Sequence, residues 1–238
     1  MDGHARGRTG SDGVGRACPG LDVRARAVKS PTHWPKSHDR IPLRGETAAG
    51  RITIGLYNTY DPKQWHEIMR ITLARAGPVA RAFDCELATF GFPFEQARAR
   101  GAKATDALRT PADIAAFVAD GTSIGEGGEH FQALVGAKRF HVLPFGAPPA
   151  KLGRIVATTP SPAAGKATTP LEVAREAAAG HDLLLLFGLG PRGLPADVLA
   201  AAPRHLEITG KGVSMETATA LGALPAMLRA HLAHLEGA

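Results

Sequence analysis

The sequence predicts an α/β fold, a mostly parallel sheet flanked by helices, over residues 51–238. Three observations carry this. Short apolar or β-branched runs alternate with amphipathic stretches of helical period through that region, the order that builds parallel sheets through helical crossovers. One run, "HDLLLLFG" (181–188), is uniformly apolar from 183 to 187, as a central strand buried on both faces requires. Several strand-like runs end in small-residue loops, the place where open parallel sheets collect ligands.

Order starts at "RITIGLYN" (51–58), an alternating run ended by a turn at Asp61-Pro62. "KQWHEIMRITLARAG" follows with Trp65, Ile68, Met69 and Leu73 on a helical period, and Gly77-Pro78 predicts the end or a bend of that helix. A second short helix and a strand around Glu86–Phe90 are expected after it. "TPADIAAFVAD" (110–120) opens on Thr110 as N-cap with Pro111 in the first helical position. "GTSIGEGGEH" (121–130) is a glycine-rich connection to another helix, and its "EGGEH" reads either as a flexible connector or as a mobile lid. Strands are expected at 138–145 and 151–159, a helix at 168–180, the apolar strand at 181–188, a short helix from 194, a last strand at 204–210 and a long helix at 214–235. Residues 95–150 are expected to be a less regular insert.

Residues 1–50 show no helical or strand period and are read as a disordered basic extension. They hold nine Lys/Arg against five Asp/Glu, which is +4 of the chain's formal net charge of +6. The polyanion affinity that this charge implies thus lies mostly outside the expected domain. No apolar run approaches the roughly 20 residues of a membrane span, and the first residues lack the apolar segment of a secretory signal. Cys18 and Cys85 form no metal-spaced or CxxC pair, and no His pair has an evident third ligand, so neither a disulfide framework nor a metal site is expected. A cytoplasmic protein without membrane or metal partners is the expectation.

Three loops stand out: "ATTPSP" (157–162), "GLGPRGLP" (188–195) and "TGKGVSMET" (209–217). Glycine there permits positive φ and close approach of backbone to a ligand. Alone, the middle loop is equally a tight turn over a packed core. Gly188, Gly190 and Gly193 match G-x-G-x-x-G by spacing, but Pro191 stands where the helix should begin and the motif lies late in the chain, against a dinucleotide site.

From "ATTPSP" through "LLLLFGLGPRGLPADVL" to "HLEITGKGVSMETATALGALP" the chain resembles the carboxy-terminal half of the SPOUT (SpoU-like) class of RNA methyltransferases, and it is close to an uncharacterised archaeal family assigned to that class. Gly188, Gly193 and Leu194 match the class's second motif, and Ile208, Gly212 and Ser214 its third. "RAGPVAR" (75–81) matches the first motif at Gly77 and Arg81. Arg75, Gly190 and Glu216 stand where the class carries Asn, Glu and Asn. The resemblance implies a carboxy-terminal trefoil knot, a homodimer, a tRNA or rRNA substrate, and S-adenosylmethionine held by the loops at 157–162, 188–193 and 208–216. It thereby marks Thr158, Thr159, Gly188, Leu189, Gly190, Gly193, Ile208, Gly212, Ser214 and Met215 as cofactor residues. Arg81 becomes the implied catalytic arginine, with Glu216 as an alternative proton acceptor because an arginine stays protonated.

Local physics offers other roles for the same side chains. Arg81 could cover a helix surface with its stem, Glu216 could favour a helix dipole, and Ser214 could be the N-cap of the last helix. Tyr60, Trp65 and His66 read as a base-stacking rim or as ordinary packing. Two further function classes remain beside a methyltransferase. A non-catalytic RNA- or cofactor-binding module would follow from the three changed motif positions, and a nuclease lacks a clustered acidic metal constellation.

Overall fold

The β-branched run at the start of the expected domain forms β1 (Ile52–Tyr57), buried at every position. The computed structural model describes residues 49–97, 108–121 and 125–237. The expected disorder of 1–50 falls outside them, except at 49 and 50. Among the described residues the strands are β1, β2 (Glu86–Phe90), β3 (Phe140–Leu143), β4 (Arg154–Thr158), β5 (Ala167–Thr168), β6 (Leu183–Gly188) and β7 (Arg204–Leu206). They make one seven-stranded sheet in the order β3-β2-β1-β6-β4-β7-β5. Every pairing is parallel.

The uniformly apolar run is β6, at the centre of that order. Leu183, Leu185 and Phe187 point into one core, and Leu184 and Leu186 into the other. Each of these side chains contributes roughly 1.5–3 kcal/mol by leaving water. The first core is covered by α1 (Glu67–Ala82), α2 (Pro111–Asp120), α3 (Gly127–Gly136), α4 (Pro170–Ala178) and α6 (Thr217–Glu236). The second, thinner core is covered by α5 (Ala196–Ala201) together with Leu152 and Leu194.

Start signals work as local chemistry demands. Thr110 accepts from the Asp113 N–H while the Asp113 carboxylate accepts from the Thr110 N–H, and Thr169 with Glu172 repeats this reciprocal cap on α4. Both helices carry proline in the first turn, where a missing N–H costs nothing.

Stop signals are overridden in the first helix. It does not end at Gly77-Pro78 and no second helix follows, because α1 runs unbroken to Ala82. Pro78 cannot donate to the Ala74 carbonyl, and α3 packs onto α1 at that point. A Cβ on Gly127 would lie 2.4 Å from the Ala74 oxygen, and one on Gly77 would lie 2.7 Å from the Phe131 nitrogen. The "EGGEH" stretch is therefore neither lid nor connector. Its glycines sit buried in the first turn of α3, where Gly128 also abuts the Ala119 Cα.

Two other expectations change. The N-cap position of α6 is Glu216 rather than Ser214, which lies exposed two residues earlier. The two-residue β5, with no sequence period of its own, pairs with β7 at Ala167 and His205. Within 95–150 the described residues join the common core through Ile114, Phe117, Phe131 and Phe140.

Candidate functional site

At the carboxyl end of β4 the Thr158 hydroxyl donates to the Leu186 carbonyl at 3.0 Å, and the Thr159 N–H donates to the Leu206 carbonyl at 3.1 Å. These bonds fix the first loop between β6 and β7. The Thr159 hydroxyl then accepts from the Ser161 N–H, turning the chain outward.

The glycines of "GLGPRGLP" are each favoured for a different reason. A Cβ on Gly188 would sit 2.4 Å from the Gly193 carbonyl carbon and 2.6 Å from the Leu194 nitrogen, so the loop closes on its own backbone there. One on Gly190 would sit 2.5 Å from Thr59 Oγ1, the atom that accepts the Gly190 N–H at 2.7 Å. Gly193 has φ +65° with open space where a side chain would go. The Leu189 N–H donates to the Tyr57 carbonyl, continuing the β1–β6 pairing by one step.

The third loop is organised by Glu207, which sequence reasoning missed. Its carboxylate accepts from the Thr209 N–H at 2.8 Å, from the Gly210 N–H at 2.5 Å and from the Thr209 hydroxyl. That hydroxyl oxygen in turn accepts from the Lys211 and Val213 N–H groups. The Thr209 hydroxyl, joined by the N–H groups of Thr209, Gly210 and Gly212, holds the Glu207 carboxyl below the usual carboxylate range. An acid two residues before a threonine-glycine pair is the only local signal for this. At the loop's end the Thr217 hydroxyl donates to the Gly188 carbonyl at 2.8 Å, tying α6 to the middle loop.

Together the loops enclose a cavity of about 480 Å³ against α6 and Tyr60. Of the expected cofactor residues Thr158, Thr159, Gly188, Leu189, Gly190, Gly193, Ile208, Ser214 and Met215 line it. Gly212 is set back from the lining, with its α-carbon region against the Pro160 carbonyl. Leu206, Ile208, Met215, Ala220 and Leu224 give the cavity an apolar wall. Among the described residues its charged lining groups are Glu207 and Glu216, and no Lys, Arg or His takes part. Glu207 is committed to the loop, whereas Glu216 is exposed and accepts from the Thr219 hydroxyl at 3.4 Å.

A second cavity, of about 640 Å³, lies across the middle loop and is lined by Tyr57, Asn58, Phe145 and Arg192 among others. Tyr60 and Gly193 line both cavities.

Arg81 lies elsewhere. Because α1 is one continuous helix returning antiparallel to β1, its last turn reaches the amino-terminal edge of the sheet, about 20 Å from the loops at roughly 3.3 Å per strand residue. There the Arg81 Nη1 hydrogen-bonds His130 Nδ1 at 2.7 Å. Trp65 packs against Phe94 and Phe117 in the first core, and the Tyr60 and His66 rings lie 4.8 Å apart. His205 is buried, with Nδ1 accepting from the Ala163 N–H and Nε2 facing the Leu199 carbonyl. Burial pushes the Cys85 thiol up to about 12, so it is no thiolate nucleophile. Among the described residues no group of three or more His, Cys, Asp or Glu is placed to hold a metal ion, and no helix is long and apolar enough to cross a membrane.

A family model described as "Protein of unknown function (DUF531)" matches residues 52–229. An uncharacterized protein of Methanocaldococcus jannaschii is 36% identical over 178 residues, covering 75% of this chain and 93% of that protein. Among solved structures, a probable methylase family protein from Haemophilus influenzae Rd KW20 aligns with a TM-score of 0.50 at 14% identity, over 79% of this chain and 69% of that one. A probable methyltransferase from Bordetella pertussis Tohama I aligns with a TM-score of 0.50 at 15% identity, over 78% of this chain and 98% of that one. At such identities the likeness is one of fold, the helix-flanked parallel sheet, and it agrees with the class that the carboxy-terminal loops resemble. Matched over most of its length by the family model and by its methanogen relative, the chain belongs to the DUF531 family.

Proposed function

We propose that the chain is an S-adenosylmethionine-dependent RNA methyltransferase whose cofactor occupies the cavity between the loops at 158–160, 188–193 and 206–217. The observation that carries this reading is the charge of that cavity. Two carboxylates line it and, among the described residues, no cation does, which suits a sulfonium-bearing ligand and disfavours a polyphosphate. The volume and the apolar wall suit an adenosine, and the backbone at Gly188 and Gly190 comes as close as a side-chain-free chain allows. The RNA acceptor follows from the class resemblance, as does assembly as a homodimer.

Leu206, Ile208, Met215 and Leu224 would hold the base, and the Thr159 and 188–190 backbone the rest of the ligand. S-adenosylmethionine, when bound, supplies a methyl carbon on sulfur, whose C–S bond breaks as a C–O or C–N bond to the acceptor forms, the electron pair leaving on a neutral thioether. Glu216, the carboxylate with free capacity at the cavity, takes the acceptor's proton, and Glu207 serves by holding the loop that carries residues 213–216. Positioning supplies much of the acceleration in such a transfer. Within one chain Arg81 faces neither cavity.

Calorimetric titration of S-adenosylmethionine onto the full chain, followed by labelled-methyl transfer to total RNA, tests the reading. Absence of heat at cofactor concentrations of about 1 mM overturns it. Binding without transfer favours a non-catalytic module, the alternative raised by Gly190 standing where the class carries a glutamate.

A further inference from the structure

Apart from Tyr60 and Gly193, which it shares with the first, the second cavity is built from residues that the cofactor reading leaves unused. Its floor is Tyr57, 5% exposed and stacked on Phe90 with ring centroids 5.9 Å apart. Against Tyr57, at 5.7 Å and 60°, stands Phe145, 43% exposed. An exposed phenylalanine on a loop is ordinarily free to move, but this ring is seated on backbone. Gly91, at φ +66°, passes so close beneath it that a Cβ would come within 2.5 Å of three ring carbons. The Gly91 turn is itself held by Asn58, whose Nδ2 donates to the Gly91 carbonyl and whose Oδ1 accepts from the Tyr60 N–H, both at 2.9 Å. Asn58 is buried and its polar capacity is spent on this support.

Arg192 lines the same cavity from the middle loop. It is exposed, and among the described residues its guanidinium has no ion pair or hydrogen bond, not even with Asp197 on the same lining. A fixed, solvent-facing aromatic ring beside an uncommitted guanidinium is the pair of elements by which proteins hold an unpaired nucleotide, one for the base and one for the phosphate. The two cavities also differ in their charged groups: carboxylates alone on the first among the described residues, and on the second an arginine that leaves the Asp197 carboxylate of the same lining unpaired. Tyr60 and Gly193, common to both linings, mark where their contents would meet.

We propose that the second cavity is the acceptor subsite, in which an unpaired nucleobase stacks on Phe145 and its neighbouring phosphate pairs with Arg192. This rests on the methyltransferase reading for the word acceptor, but the binding it asserts is separately measurable.

The full-length chain is titrated with a fluorescein-labelled single-stranded oligoribonucleotide of mixed sequence, by anisotropy at several salt concentrations, in parallel with calorimetric titration of S-adenosylmethionine. Phe145→Leu keeps apolar bulk and removes the π face, and it is expected to weaken RNA binding roughly tenfold, while Phe145→Trp retains or tightens it. Arg192→Gln is expected to weaken RNA binding several-fold and to lower the slope of log affinity against log salt by about one. Cofactor affinity and melting temperature should be unchanged in all three. RNA binding by Phe145→Leu equal to that of the unaltered chain overturns the subsite, as does equal loss in Phe145→Leu and Phe145→Trp. If the Phe145 pattern holds and the unaltered chain takes up no cofactor, the methyltransferase reading falls and the RNA subsite stands.

Discussion

Replacing each glycine of the middle loop by alanine separates three physical causes that one loop combines. Gly188 lies outside the positive-φ set, so alanine there meets no conformational barrier and the whole cost is steric. Its Cβ would meet the Gly193 carbon at 2.4 Å, the Leu194 nitrogen at 2.6 Å and the Gly193 oxygen at 2.7 Å. All three are backbone atoms that no rotamer change can move, so the loop must open, at a cost of about 3 kcal/mol or somewhat more. At Gly190 the obstacle is the Thr59 hydroxyl, which can rotate away but then loses the bond from the Gly190 N–H, worth about 1 kcal/mol. At Gly193 nothing lies within 4 Å and the cost is the positive φ alone, about 1 kcal/mol, with asparagine milder than alanine. For a chain of this size each kcal/mol shifts the melting temperature by roughly 2–4 °C. Gly188→Ala should therefore melt roughly 6–12 °C lower and the other two roughly 2–4 °C lower, by differential scanning fluorimetry. Because opening at Gly188 displaces the cavity wall that Gly193 shares, cofactor affinity should fall at least about tenfold in Gly188→Ala and change little in Gly193→Ala. A Gly188→Ala chain that melts and binds like the unaltered one, or a Gly193→Ala chain that suffers more, would refute the reasoning.

Four further outcomes are expected. Glu216→Gln should keep cofactor affinity by calorimetry and slow methyl transfer to RNA by about a hundredfold or more, the scale of a lost proton acceptor; transfer within threefold of normal removes Glu216 from the mechanism. Since the folded-state value of Glu207 is depressed, its contribution to stability is present above the ordinary value of 4.5 and is lost as pH falls through the folded value. Melting curves of Glu207→Gln should thus lie below those of the unaltered chain at neutral pH and approach them as pH falls below 4.5 and through the folded value, and a gap that persists undiminished in acid would contradict this. Gly127→Ala should destabilise by about 2–3 kcal/mol through collision with the Ala74 carbonyl, read as a lower denaturation midpoint; an unchanged midpoint would mean that α3 is not seated on α1 there. Arg81→Ala, which breaks an exposed contact with His130 worth at most about 1 kcal/mol, should leave transfer within about twofold, and a tenfold loss would require a second chain to present Arg81 to the cavity.

What could be read from the sequence depended on whether a feature is fixed by near or by distant residues. The central strand was legible because burial on both faces leaves its mark in one run, Leu183 to Phe187. The cap of α2 was legible because Thr110 and Pro111 act within a single turn. Gly77-Pro78 misled because the break it predicts is overridden by α3, whose Gly127 and Gly128 lie some fifty residues away. That error also displaced Arg81, for an unbroken helix carries it to the far edge of the sheet. The three loops that line the first cavity stood out by their composition, but the carboxylate organising one of them did not. Glu207 becomes distinctive only when the following residues curl back and aim their N–H groups at it.

The irregularity of "FGLGPRGLP" follows from its position between two cavities of different lining. An ordinary turn after β6 would close the sheet edge and leave a single face for a ligand. This loop instead turns one flank, Gly188 to Pro191, toward a cavity that carries carboxylates, and the other, Arg192 to Asp197, toward one that carries a free guanidinium. A wall lined on both sides must be thin, and thinness here means backbone without side chains at the points of closest approach, Gly188 against Gly193 and Gly190 against Thr59. Proline at 191 and 195 restricts that backbone where no regular hydrogen bonding does. The same economy bears on Gly190, which stands where the class resemblance leads one to expect a glutamate: a Cβ there would displace the Thr59 hydroxyl and cost the bond from the Gly190 N–H. With glycine at 190, the proton acceptor proposed for this cavity comes from another element, Glu216 at the start of α6.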